Sequence, residues 1–338
     1  MKKQAFGKLG KVIALDIGTS TLRLAAKSSM KPIQEPSIVA ADKDSGALRA
    51  GGEAAAALLG EAPHRHLRLH PIEHGCITHY KMAQYLLQHL LQKAHRSRLI
   101  KPHLLLCVPL QLSQVHARAF VDAGLAIGAK SVQLLPSTLA AAAGMELDIK
   151  SPRGQLVVDI GAGTTEIAVL SLSGIVTGET LPIAGQQFDR AITQAIQKTH
   201  NLRIGAGAAQ ALKHSLSSPP ESDKDAVFSV IGRSLASGAA DSAAVSTSEL
   251  LSATAPVARQ IAEEITQVLE RTPPALIDTI AENGLHLCGD GARLLGLPAL
   301  LTQVLSLPVR VAAQPREAVI CGAKILLSQP SLLENILM

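Results

Sequence analysis

Residues 155–174, QLVVDIGAGTTEIAVLSLSG, restrict the fold more than any other stretch of the chain. Leu156, Val157 and Val158 form a short apolar run that suits a buried strand. The run ends at Asp159 and the small residues Gly161, Ala162 and Gly163, followed by Thr164. Residues 165–172 are apolar and β-branched again, and Ser173-Gly174 reads as a turn. The pattern is strand, glycine turn, strand: a β-hairpin with an acid at its bend. Small residues at such a bend let backbone N–H groups approach a phosphate closely. Asp159 cannot favourably touch a phosphate, so its functional reading is to hold a metal-bound water or to orient an attacking one. The same letters also spell an ordinary Asp/Gly turn.

A second copy decides between these readings. Residues 13–26, IALDIGTSTLRLAA, repeat the grammar: an apolar strand, Asp16, Gly18, Thr19, Ser20 and Thr21, then apolar residues. The two acids lie about half a chain apart, as expected of a duplicated architecture. A third glycine turn follows residues 285–288, with Gly289, Asp290, Gly291 and Ala292 opening a helix. Two phosphate hairpins and a later glycine turn resemble the nucleotide cleft of the actin-like ATPase superfamily.

The bulk composition agrees with this. At 338 residues, 47% of them hydrophobic, the chain has material for two domains. Its net charge of +5 fits an anionic membrane surface as well as nucleic acid. Aromatic residues make up only 2%, which disfavours base stacking, so no nucleic-acid partner is expected. Cys76, Cys107, Cys288 and Cys321 lack CxxC spacing and read as buried, reduced thiols of a cytosolic protein. His64, His66, His70, His74 and His79 cluster without metal-ligand spacing and read as exposed polar residues. No apolar run approaches the roughly 18 residues of a membrane span, and no signal-peptide core precedes the first strand.

Between the hairpins, Tyr80, Ala83, Leu87, Leu90 and Ala94 recur at helical spacing, with Thr78 as a candidate N-cap. Arg98-Leu99-Ile100-Lys101-Pro102 then sets two large apolar residues between cations, just before a strand at 104–108. Pro102 and the charges argue for a loop, where an exposed Leu99-Ile100 pair needs a reason. The lysine-rich start, 1–11, reads as a frayed basic tail or a weak interfacial anchor. Helices are expected at 139–145, 188–196 and 206–216, and Ser246 with Glu249 spells a capping box for a long helix.

In order along the chain, these segments resemble the MreB family of bacterial actins. The family's DxGT appears at 16–19, its PSVVA as PSIVA at 36–40, and its KPxxxxxVP at 101–109. Its RPxxDGVI looks like HPIEHGCI at 70–77, with His70 for the arginine and His74 for the aspartate. Its DIGGGTTExAVxSLxGIV is matched almost residue for residue at 159–176, its GGxxFDxAI at 184–192 and its TGGGAxLxGL at 288–297.

The resemblance implies an actin-like α/β fold of two duplicated lobes, each with a smaller subdomain, around a nucleotide cleft. Its expected boundaries are 1–34, 73–150 and 314–338 for the first lobe's core, with 35–72 as its small subdomain. The second lobe takes 151–185 and 249–313, with 186–248 as its small subdomain. The implied ligand is Mg-ATP. Gly18, Thr19, Ser20, Thr21, Gly161, Ala162, Gly163 and Thr164 would hold phosphates. Asp16 and Asp159 would serve Mg²⁺ through water. Gln210, Lys213 and the Gly289, Asp290, Gly291, Ala292 turn would hold the nucleoside end. The implied behaviour is a self-assembled filament on the cytoplasmic face of the inner membrane, touching the bilayer through Leu99 and Ile100. Its partners would be cell-wall synthesis proteins or other membrane proteins.

Four departures qualify the expectation. Pro136-Ser137-Thr138 stands where the family has Glu-Glu-Pro, so Ser137 replaces the water-positioning glutamate, and a hydroxyl is no carboxylate base. Ala162 replaces a glycine, a mild change if its φ is negative. Asp290 replaces a glycine and would repel phosphates unless Mg²⁺ or a lysine intervenes, or else Asp-Gly makes an ordinary turn with Asp290 pointing away. Gln210 stands for a glutamate. The alternatives are therefore a non-hydrolysing scaffold paralogue and, disfavoured by the PSIVA and KPHLLLCVP segments, a small-molecule kinase of the superfamily.

Overall fold

The computed structural model describes residues 11–29, 31–95, 100–216 and 226–338. Residues 1–10 of the basic tail, Leu99 and the Ser/Pro/acid loop at 217–225 lie outside the described residues.

Two five-stranded sheets dominate. The first is built from β1 (Val12–Ile17), β2 (Thr21–Ala26), β3 (Ile33–Pro36), β4 (His103–Val108) and β5 (Ser131–Pro136), in the order β5-β4-β1-β2-β3. The second contains β6 (Gln155–Ile160), β7 (Thr165–Ser171), β8 (Gly174–Leu181), β9 (Leu285–Cys288) and β10 (Val309–Val311), in the order β10-β9-β6-β7-β8. Each sheet is an antiparallel three-strand meander extended by two parallel strands on its first member. The duplication heard in the sequence is thus a duplication of topology. Each lobe also carries a three-stranded sheet, formed by Val39–Asp42, Leu48–Gly51 and His66–Leu69 in the first and by Leu202–Arg203, Val227–Ser234 and Ala240–Ser246 in the second.

The strand β4 is buried at every position, as a central parallel strand covered on both faces should be. Separate apolar cores fill the two lobes, one around Leu15, Leu24 and Phe120, the other around Phe188, Ile261 and Leu287. A third core joins them. It takes Ala14 and Leu105 from the first sheet, Val157 and Leu170 from the second, and helices Ser137–Gly144 and Ala318–Leu326. These helices cross at Gly144 and Gly322. A Cβ on Gly322 would lie 1.7 Å from the Ala140 carbonyl oxygen, and one on Gly144 would lie 1.9 Å from that of Ala318. Only hydrogen fits at this crossing, so the alanine-rich character of the first helix is a packing requirement.

Several local expectations need correction. The Tyr80–Ala94 helix has His79 at its N-cap with no side-chain cap, because the Thr78 hydroxyl is spent on the Pro71 carbonyl at 3.3 Å. The hairpin bend after β7 falls on Leu172 and Ser173, both at positive φ, with Gly174 already in β8. The helix expected at 139–145 starts two residues earlier, at Ser137, with Pro136 as its N-cap. The Ser246 hydroxyl caps Glu249 N–H at 3.2 Å, but the Glu249 carboxylate goes to His200 Nε2 at 2.9 Å, so only half of the capping box forms. The residues after Gly289 make a short 3-10 turn, Asp290–Arg293, in place of a helix. His66 and His70 are half-buried, not exposed. All four cysteines are free; Cys107 and Cys288 are buried, whereas Cys76 and Cys321 are half-buried. Among the described residues no helix is long and apolar enough to cross a membrane.

Candidate functional site

The bends of the two duplicated hairpins face each other across one cleft. Each closes with the same hydrogen bond: Gly18 N–H donates to the Thr21 carbonyl at 3.2 Å, and Gly161 N–H to that of Thr164 at 2.9 Å. The turns nearly touch, since a Cβ on Gly163 would lie 2.4 Å from Thr19 Oγ1. His74, in the segment before the Tyr80–Ala94 helix, reaches across the lobes and donates from Nδ1 to the Gly163 carbonyl at 3.0 Å. Ala162 has no positive φ, so replacing a glycine there carries no backbone strain.

The cleft brings together nearly all the residues singled out from the sequence. Asp16, Gly18, Thr19, Ser20, Thr21, Ser137, Asp159, Gly161, Ala162, Gly163, Thr164, Gln210, Lys213, Gly289, Asp290 and Gly291 line it. Ala292 does not. It is buried in the second lobe's core, because the 3-10 turn tucks it inward. Gly289 is fixed twice over: its φ is +81°, and a Cβ would lie 2.4 Å from Asp159 Oδ1. Lys213 Nζ is 2.8 Å from both the Gly185 carbonyl and the Asp189 carboxylate. It thereby ties its helix, Ala206–Leu216, to the start of the preceding one, Gly185–His200, at the cleft wall.

The floor carries charges in register. In the first hairpin Asp16 faces Arg23 directly across the strands. In the second, Asp159 faces Glu166 at the same offset. Burial raises the pKa of Asp16, while Arg23 opposes the rise. Burial and the charge of Asp16 push Asp159 up to about 7. Burial and the charge of Asp159 push Glu166 up to about 8. Buried carboxylates that raise one another's pKa in this way resist joint ionisation, and a cation bound between them would relieve that repulsion.

Glu166, Arg23, Arg316 and Cys288 escaped the sequence reading. Glu166 accepts from Leu110 N–H at 3.1 Å and lies 3.0 Å from Ser137 Oγ. Arg316 pairs with Asp290, supplying the cation that this turn requires. Burial, and after it the charge of Asp159 to which the Cys288 thiol donates, holds the thiol well above its ordinary pKa. A signal did exist for two of them. Arg23 and Glu166 occupy the same offset after the acids of the two copies, so laying one hairpin over the other exposes both.

Asp16 and Asp159 offer only oxygen, the donor type Mg²⁺ prefers, and one or two carboxylates suffice because Mg²⁺ keeps most of its water. No group of three or more His, Cys, Asp or Glu side chains is placed to ligate a metal among the described residues. Water-mediated holding of Mg²⁺ by this pair fits that donor set.

Two duplicated lobes with glycine turns meeting across a cleft define an actin-like fold. The family model described as MreB/Mbl protein matches residues 10–335. The cell shape-determining protein Mbl of Bacillus subtilis (strain 168) is 34% identical over 316 residues, spanning 93% of this chain and 95% of its own. The cell shape-determining protein MreB of Escherichia coli (strain K12) is 32% identical over 328 residues, spanning 95% of this chain and 94% of its own. Among solved structures, MreB5 of Spiroplasma citri bound to ADP superposes with a TM-score of 0.89 at 28% identity, covering 96% of this chain and 99% of that one. The same protein bound to AMPPNP gives 0.90 at 27%, covering 97% and 99%. The chain belongs to the MreB/Mbl family of actin-like, cell shape-determining proteins.

Proposed function

We propose that this chain binds Mg-ATP in the cleft between its lobes and assembles into filaments on the inner face of the cell membrane. The observation that carries this reading is the meeting of Gly163 with Thr19, two phosphate-type turns from duplicated sheets closing on one space. The MreB5 relative was solved with ADP and with AMPPNP, which supports a nucleotide in the same place.

In this reading the backbone N–H groups and hydroxyls of the two turns take the phosphate oxygens, as small-residue concavities do. Asp16 and Asp159 hold Mg²⁺ through its water, and the ion supplies charge neutralisation to the phosphates. Gln210, Lys213 and the Gly289–Gly291 turn close the nucleoside end.

Hydrolysis is expected to be slow. Ser137 Oγ is 2.8 Å from the Val108 carbonyl and 3.0 Å from Glu166 Oε1, and its single proton cannot serve both. A protonated Glu166 resolves the pattern by donating to Ser137, which donates to Val108. Both groups are then engaged with each other, and neither is a free base for a water. This favours, as a second reading, a scaffold that binds ATP without turning it over.

Calorimetric titration with ATP and Mg²⁺, with sedimentation and phosphate release measured on the same samples, tests the proposal. Saturable binding with nucleotide-dependent pelleting supports it. A chain that neither binds nor pellets sinks it, and binding with pelleting but no phosphate selects the scaffold reading.

A further inference from the structure

Arg23 sits on β2, where strand alternation turns Leu22 and Leu24 into the first lobe's core and leaves Arg23 on the cleft side. Its partner across the hairpin is Asp16, with Nη1 3.3 Å from Oδ2. That is longer than the 2.7–2.9 Å typical of a charge-assisted bond. The side chain is only 12% exposed, and its buried Nε has no hydrogen-bond partner. A guanidinium has five donors. Burying one with Nε unsatisfied costs stability unless something else brings an acceptor.

The second hairpin has nothing comparable. There the position facing the acid is Glu166, so Arg23 sets a cation among the buried carboxylates Asp16, Asp159 and Glu166. It lines the cleft beside Asp16, one of the two acids assigned to the metal, together with Asp159. A group that partly neutralises those acids and still has donors to spare supplies much of what a divalent cation supplies to a polyphosphate.

We propose that Arg23 is a resident phosphate-binding cation, so that this chain holds a nucleoside triphosphate with a weakened requirement for Mg²⁺. The proposal rests on the nucleotide reading of the cleft. The competing account makes Arg23 a counter-ion for Asp16 alone. In that case removing it frees Asp16 for Mg²⁺ and leaves metal-free binding untouched.

The test is calorimetric affinity for AMPPNP, in excess Mg²⁺ and in EDTA, for the parent, Arg23→Leu and Arg23→Lys. The parent should lose less than roughly tenfold when Mg²⁺ is removed. Arg23→Leu should lose a further factor of roughly 10–100 in EDTA, the value of one or two hydrogen bonds to a charged group. Arg23→Lys should fall between, keeping the charge but not the fork. Thermal melts without nucleotide report whether each variant folds. If Arg23→Leu does not fold, Arg23→Lys carries the test, and a folded Lys variant unable to bind in EDTA overturns the proposal. Parent binding that collapses without Mg²⁺ overturns it too, as does Arg23→Leu matching the parent in EDTA. A parent that binds AMPPNP in neither buffer removes the nucleotide reading itself, and the Arg23 proposal with it.

Discussion

Ser137 Oγ lies 3.0 Å from Glu166 Oε1, beneath the bend of the second hairpin and buried from solvent. The hydroxyl standing where the resemblance leads one to expect a water-positioning glutamate is therefore occupied by a carboxyl group. Restoring the acid with Ser137→Glu should raise phosphate release by up to roughly 10²- to 10⁴-fold, the range for regaining a positioned acid or base. Phosphate release measured with ATP checks this. A folded variant releasing phosphate at the parent's rate would remove the serine as the cause of slow turnover.

The same buried carboxyls make stability depend on pH. Asp159 and Glu166 move from ordinary values of 3.8 and 4.5 to about 7 and about 8. Below the ordinary values both states of the chain hold these protons. As pH rises the unfolded chain releases them first, while the folded chain keeps them. The nucleotide-free protein should therefore be more stable at about pH 5 than at about pH 8, with the loss levelling off above the folded values. Thermal melts across this window check the sign, and Glu166→Gln should flatten the slope. A parent profile that rises with pH would contradict the assignment.

Asp290 and Arg316 form an ion pair at the cleft mouth, each more than a third exposed. The aspartate that looks repulsive in the sequence is matched, and removing it leaves a free guanidinium. Asp290→Gly should tighten ATP binding by roughly two- to fivefold, in keeping with a solvent-screened pair. Arg316→Ala should weaken it by a similar factor. Calorimetry on both variants checks the pair of signs, and equal affinities would show that the pair points away from the ligand.

Ile100 is 58% exposed just ahead of β4, and Lys101 beside it is exposed too. Inserting such an apolar side chain into a bilayer contributes about 1.5–3 kcal/mol, and a nearby cation adds about 1 kcal/mol on an anionic surface. One subunit would attach weakly, and a filament firmly through many copies. Leu99→Ser with Ile100→Ser should abolish co-sedimentation with anionic liposomes while leaving the circular dichroism unchanged. Undiminished sedimentation of the folded double variant would move the anchor elsewhere.

The hairpins were legible because strand, acid and glycine turn are local signals, and because the pattern occurs twice. The third turn was visible for the same reason, down to Gly289, although the 3-10 geometry that buries Ala292 depends on packing against Ile160 and the second core. What the sequence hid is set by contacts between distant segments. Ser137 meets Glu166, and Asp290 meets Arg316, only after the sheets and the joining helices are assembled. Thr78 misled as a cap because its hydroxyl had a nearer use on Pro71. Leu172 and Ser173 misled because both adopt positive φ without being glycine, which composition does not announce.

The central claim is that one nucleotide, held between the turns carrying Thr19 and Gly163, drives assembly. Sedimentation with and without AMPPNP, for the parent and Gly163→Val, tests it most directly. A Cβ at 163 would press within 2.4 Å of Thr19 Oγ1 and close the space between the turns. The account predicts that AMPPNP increases the pelleted fraction of the parent and leaves that of a folded Gly163→Val unchanged. A parent that pellets equally with and without AMPPNP, or a valine variant that responds as the parent does, would contradict it.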